Sequence, residues 1–126
     1  MSYSQYRQFR SEVDRLYQSG EYSAALDRLN QSAQAYPDQT PQISYMRICL
    51  LALTAPAPAA LSALQHALDQ GYWYLPAALY GDPDLASLPG NLEFERLVAV
   101  CAGRYAQAAE TARPERVVLS PSSVAT

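Results

Sequence analysis

Apolar residues in this chain recur at spacings of three and four, and Gly and Pro cut the runs in which they do so. That combination constrains the fold more than any other feature. A period near 3.6 lines one face of a helix, and the breakers fix where each helix stops. Over about residues 3–18, Tyr6, Phe9, Val13, Leu16 and Tyr17 form one stripe, which Gly20 ends. Over 21–36 the stripe is Tyr22, Ala25, Leu26, Leu29, Ala33 and Tyr36, and Pro37 stops it. Thr40-Pro41 reads as a cap followed by a first-position proline, opening a helix over 41–53. That helix is apolar nearly all round, as a helix held between two neighbours is. Ala55 to Pro58 is a tight connector into a helix over 58–70, with Ala60, Leu61, Leu64, Ala67 and Leu68 on one face and Gly71 at its end.

The stretch Gly71 to Leu97 breaks the pattern. It holds the only Trp together with Tyr72, Tyr74 and Tyr80, and it is interrupted by Pro76, Pro83 and Pro89. It is too apolar for a solvated linker and too broken for one helix. Leu75 to Leu79 predicts one short turn, and Asp82-Pro83-Asp84 predicts a capped turn over 83–87. Asn91 caps a last helix over 91–111, with Phe94, Leu97, Val98, Cys101 and Tyr105 as its buried stripe. No segment alternates convincingly as a strand. Arg116 to Leu119 is the one candidate, and nothing offers it a partner. The expected class is all-α: one helical domain over 1–112, with repeat units at about 5–37 and 41–72, a closing module over 73–112, and a flexible tail over 113–126.

Composition narrows the function classes. Net charge is −3, all nine basic residues are Arg, and there is no basic stripe, which argues against a nucleic-acid or anionic membrane surface. The longest apolar run, Ile48 to Leu53, is too short to span a bilayer, and the N-terminus has no apolar signal core. A soluble cytoplasmic protein is expected. Cys49 and Cys101 lie in apolar helical runs and read as free, packed thiols.

The two helical hairpins resemble each other. Shifting the first by 35 residues lays Ala25 on Ala60, Leu29 on Leu64 and Ser32 on Ala67. Gly20-x-Tyr22-x-x-Ala25-x-x-x-Leu29-x-x-Ser32-x-x-x-x-Pro37 resembles the second half of a tetratricopeptide repeat, with Ser32 for Ala as a departure. In the second unit Tyr72 replaces the closing Pro. The resemblance implies antiparallel hairpins, an irregular aromatic connector and a capping helix acting as a protein-interaction module. A second resemblance spans more of the chain. Ala67-x-x-x-Gly71-Tyr-Trp-Tyr, Asp82-Pro-Asp-Leu-Ala-x-Leu88 and Glu93-Phe94-x-x-Leu97 are similar to the closing module of bacterial tetratricopeptide proteins. They are especially similar to the helical segment preceding the catalytic domain of some bacterial α/β-hydrolase esterases. There, a segment like Arg113 to Leu119 leads into the first strand of the hydrolase. This alternative implies an accessory region of a serine esterase, truncated before the catalytic domain.

The residues themselves offer little chemistry. The Gly-x-Ser-x-Gly elbow does not occur. His66 is the only His and falls off its helix's apolar face beside Asp69, so it reads as solvated. Asp82, Asp84, Glu93 and Glu95 lack calcium-loop spacing and read as helix-capping acids. No catalytic, cofactor or metal residue is therefore assigned. Tyr6, Tyr17, Tyr22, Tyr36 and Tyr105 are expected to pack with hydroxyls reaching water. Tyr72, Trp73, Tyr74 and Tyr80 either fill the space under the connector or form an aromatic contact patch, and they are the candidate partner contacts. On the second reading at least one of Trp73, Tyr74 and Tyr80 is substantially exposed and meets a protein partner or a second copy in a homodimer.

Overall fold

The computed structural model describes residues 3–111, all of them helix, turn or loop, with no strand among them. The elements are α1 (Tyr3–Gln18), α2 (Tyr22–Ser32), α3 (Thr40–Thr54), α4 (Ala57–Asp69), α5 (Pro76–Gly81) and α6 (Leu92–Thr111). Short 3-10 turns occupy Ala33–Ala35, Pro37–Gln39 and Pro83–Leu85. The chain is all-α, as its periodicity predicts. The tail and the strand candidate at 116–119 lie outside the described residues.

Two glycines end helices by the same device. Gly20 and Gly71 adopt φ of 81° and 97°, which residues with a Cβ avoid. After α1, the Gly20 amide donates to Tyr17 O and the Glu21 amide to Leu16 O. After α4, the Gly71 amide donates to Leu68 O and the Tyr72 amide to Ala67 O. Each pair satisfies carbonyls that a helix end otherwise leaves open.

The boundaries depart from the sequence reading in five places. The second helix stops at Ser32, not at 36, and breaks into two 3-10 turns. Pro37 disfavours helical geometry at Tyr36, which sits at φ −128°, ψ 65°. Thr40 is not a cap. Because the Pro37–Gln39 turn runs straight into α3, Thr40 is already its first residue, and its hydroxyl donates back to Pro37 O at 2.8 Å. α4 begins one residue early, after an extended Pro56. The short element at 75–79 is instead Pro76–Gly81, and the capped turn ends at Leu85 rather than 87.

α1 and α2 run antiparallel. Tyr17 meets Tyr22 with ring centroids 5.5 Å apart, Arg28 reaches back to Glu12 at 2.6 Å, and Tyr36 reaches Gln5 O. Partners thus retreat along α1 as the chain advances. α2 packs on α3, and α3 on α4. α6 lies on α4 pointing the same way, since Arg96 meets Gln65 while Arg104 Nη1 donates to Leu68 O and Tyr72 O.

Two apolar clusters make up the core. Phe9, Val13, Ala25, Leu29, Tyr36, Ile43 and Leu50 belong to the first, and Ile48, Cys49, Leu64, Leu79, Phe94, Leu97 and Cys101 to the second. α3 contributes to both, which accounts for its all-round apolar surface. Cys49 and Cys101 are buried and unpaired by any disulfide. Tyr105 departs from the expected buried stripe. It is 46% exposed and lies against Trp73 with centroids 5.7 Å apart, because α6 has by then passed the end of α4.

Ala25 and Ala60 are both fully buried. Replacing either with Leu should overpack its helix seam and lower stability by about 1–3 kcal/mol. Chemical denaturation checks this; unchanged midpoints in both variants would show that neither seam is tight.

Candidate functional site

The connector between α4 and α6 is fastened to three helices through polar side chains. Asp82 precedes the Pro83–Leu85 turn and caps it, its Oδ1 accepting the Asp84 amide at 3.0 Å. Its Oδ2 accepts the Tyr45 hydroxyl of α3 at 2.7 Å and, at 3.6 Å, the Cys49 thiol one helical turn further on. Asp84 accepts the Tyr17 hydroxyl of α1, 2.8 Å from each carboxylate oxygen. Tyr74 donates to Pro41 O at 3.0 Å and packs its ring on Tyr45.

These contacts shape a groove between α1 and α3 on one side and the connector and α5 on the other. One lobe, about 660 Å³, has Val13, Cys49 and Leu50 as its apolar floor and Tyr17, Asp82 and Asp84 at its polar edge. A second lobe, about 650 Å³, is lined by Pro41, Trp73, Tyr74 and Leu75. Arg10, Tyr45, Met46 and Ala78 line both, so the two adjoin.

Electrostatics hold the donors of this site in their protonated forms. The hydrogen bond to Asp84, then burial, raises the Tyr17 phenol to about 12. Burial and the bond to Asp82 push Tyr45 up further, and burial raises Tyr74 to about 12. Burial, then the negative charge of Asp82, drives the Cys49 thiol well above its ordinary range. A thiol so placed is a poor nucleophile and a poor metal ligand at neutral pH. Cys49, Asp82 and Asp84 do bring ligand atoms within 4.8 Å of one another. A metal ion bound by all three would have to deprotonate a thiol that burial holds protonated, so the trio works as a hydrogen-bonded knot rather than a metal centre.

The four connector aromatics do not share one environment. Trp73 and Tyr74 are half-buried and line the second lobe. Tyr72 is half-buried and offers its carbonyl to Arg104. Tyr80 is 46% exposed on the opposite side, edge-on to Phe94 and bonded to Glu95. Trp73 and Tyr74 therefore combine packing with a groove-facing surface. The four acids stand at helix starts as expected, Asp84 in the first turn after Asp82 and Glu93 and Glu95 in the first turn of α6, but only two of them accept backbone amides. Asp82 caps, as expected, and Asn91 accepts the Glu93 and Phe94 amides. Glu95 accepts the Gly90 amide, but Asp84 serves Tyr17 and Glu93 pairs with Arg96. His66 is exposed on α4, as its position off the stripe predicts. Tyr45 and Tyr17 are the site residues that sequence reasoning missed. Both were legible as tyrosines near Asp-rich turns only after the chain was folded.

A family model for the α/β-hydrolase-like N-terminal domain matches residues 5–109. The chain belongs to that family. The match runs from α1 to near the end of α6, so the groove lies within it. No curated protein matches the chain, and no solved structure does. Among the described residues no helix is long and apolar enough to cross a membrane.

Tyr17, Tyr45 and Tyr74 all have raised folded pKa values, so the stability their neutral hydroxyls contribute is complete below pH 10; that of Tyr17 and Tyr74 is lost as pH rises through about 12, while burial carries the Tyr45 loss to higher pH still. Thermal unfolding should show a steep fall in melting temperature from pH 10 to 12. Tyr17→Phe should be less stable at pH 8 and lose less over that range; an identical pH profile would remove Tyr17 from the account.

Proposed function

We propose that this chain is the non-catalytic, helical accessory domain of an α/β-hydrolase-like protein, acting by contact with a hydrolase domain. Membership of the hydrolase-like N-terminal family over residues 5–109 carries the reading. The side chains agree with it. The single His is exposed, and the one thiol in the groove is held protonated by burial. On this reading the two hairpins are of tetratricopeptide type, supported by full burial of the matched residues Ala25 and Ala60. The contact surface includes Trp73 and Tyr74 at the groove, near the point where α6 ends. Thr111 and Trp73 line the same shallow depression.

Self-association, most simply as a closed dimer, is the second reading. Leu92 and Tyr80, at the opposite end of α6, are 87% and 46% exposed and favour it. A chain that sediments as a monomer at high concentration would exclude this reading.

Mixed with the catalytic domain of a hydrolase from the matched family, the chain should associate one-to-one in sedimentation velocity. Alone it should hydrolyse short-chain nitrophenyl esters no faster than an inert protein at equal concentration. No association would overturn the accessory role. Turnover that survives purification and disappears in His66→Ala would overturn the non-catalytic one.

A further inference from the structure

We infer that the two-lobed groove is the docking surface of this domain, and that it takes a segment of the hydrolase domain presenting an Arg or Lys side chain between apolar residues. The inference rests on the accessory reading and names the chemistry of its contact.

Charge is the first argument. Asp82 and Asp84 are half-buried at one edge of the groove, and among the described residues no arginine lies within ion-pair distance of either. Their partners are two hydroxyls, a thiol and a backbone amide, which orient the carboxylates without neutralising them. Arg10, at the junction of the lobes, is engaged by Asp14 on its own helix at 3.4 Å. The groove therefore holds one guanidinium against three carboxylates. A partner's cation set between Tyr17 and Tyr45 would gain charge-assisted bonds and lie against aromatic rings.

Shape is the second argument. The lobes adjoin, sharing Arg10, Tyr45, Met46 and Ala78, and a run of side chains entering both fills the space better than one compact ligand. The second lobe has no ionisable side chain besides Arg10 and the Tyr45 and Tyr74 phenols, and it carries Leu75, 47% exposed, beside half-buried Trp73. Such surface is what an interface core covers, with the charged contact fixing register at one end. Position is the third. Trp73 lies between this lobe and the end of α6, so a domain docked near that end meets the groove directly.

The test uses the full chain and two blocked peptides, Gly-Leu-Arg-Leu-Gly and its Gln counterpart, followed by calorimetry and by the fluorescence of Trp73. The Arg peptide should bind saturably and at least tenfold more tightly than the Gln peptide. Ala78→Arg, at an exposed position lining both lobes, should abolish binding, and Asp84→Asn should weaken it at least tenfold. Unaltered melting of Ala78→Arg keeps the result free of a folding artefact. No saturable binding, or equal binding of the two peptides, overturns the inference. The association with a hydrolase domain separates the two proposals. If it persists in Ala78→Arg, the groove is not the interface and the accessory reading stands. If the peptide binds while no hydrolase domain does, the accessory reading falls and the groove chemistry remains.

Discussion

The Asp82 carboxylate is the fixed point on which the second half of the molecule depends. One oxygen caps the Pro83 turn and the other receives donors from two successive turns of α3. The connector cannot hold itself in place by secondary structure, since its longest helix is six residues. Helices that short are unstable alone. Burial of Leu79, Leu85 and Leu88 supplies the favourable free energy, but apolar contact is non-directional. Asp82 supplies the direction and so sets where the groove's edge lies relative to α3.

Much of this was legible in the sequence because it follows from local rules. The apolar stripes of α1, α4 and α6, the glycine ends after Gln18 and Asp69, and the Asp82 and Asn91 caps each depend on residues within one or two turns. What escaped depends on pairs distant in sequence. Tyr17 and Asp84 are separated by 67 positions and Tyr45 and Asp82 by 37, and neither pair has a periodicity to betray it. Tyr17, whose hydroxyl was expected to reach water, was misjudged for that reason. Tyr105 failed differently: it keeps the helical spacing of the stripe, but the neighbour that would bury it ends first.

The site is consistent with recognition and poor for reaction. The Tyr17 phenol is held neutral first by its bond to Asp84, and the Tyr45 phenol and the Cys49 thiol first by burial. Catalysis needs groups whose proton affinities are tuned toward neutrality, whereas here every shift runs away from it.

α3 is the wall shared by both apolar clusters, giving Ile43 and Leu50 to one and Ile48 and Cys49 to the other. The hairpins look like separable units in sequence, yet neither can be withdrawn without baring a face of the same helix. Opening the α1–α2 side exposes residues one turn from those that hold α4 and α6. The molecule therefore has no internal seam. Its amides in α3 should exchange with solvent only when both halves come apart together, and a fragment cut on either side of α3 would inherit an apolar face with nothing to cover it.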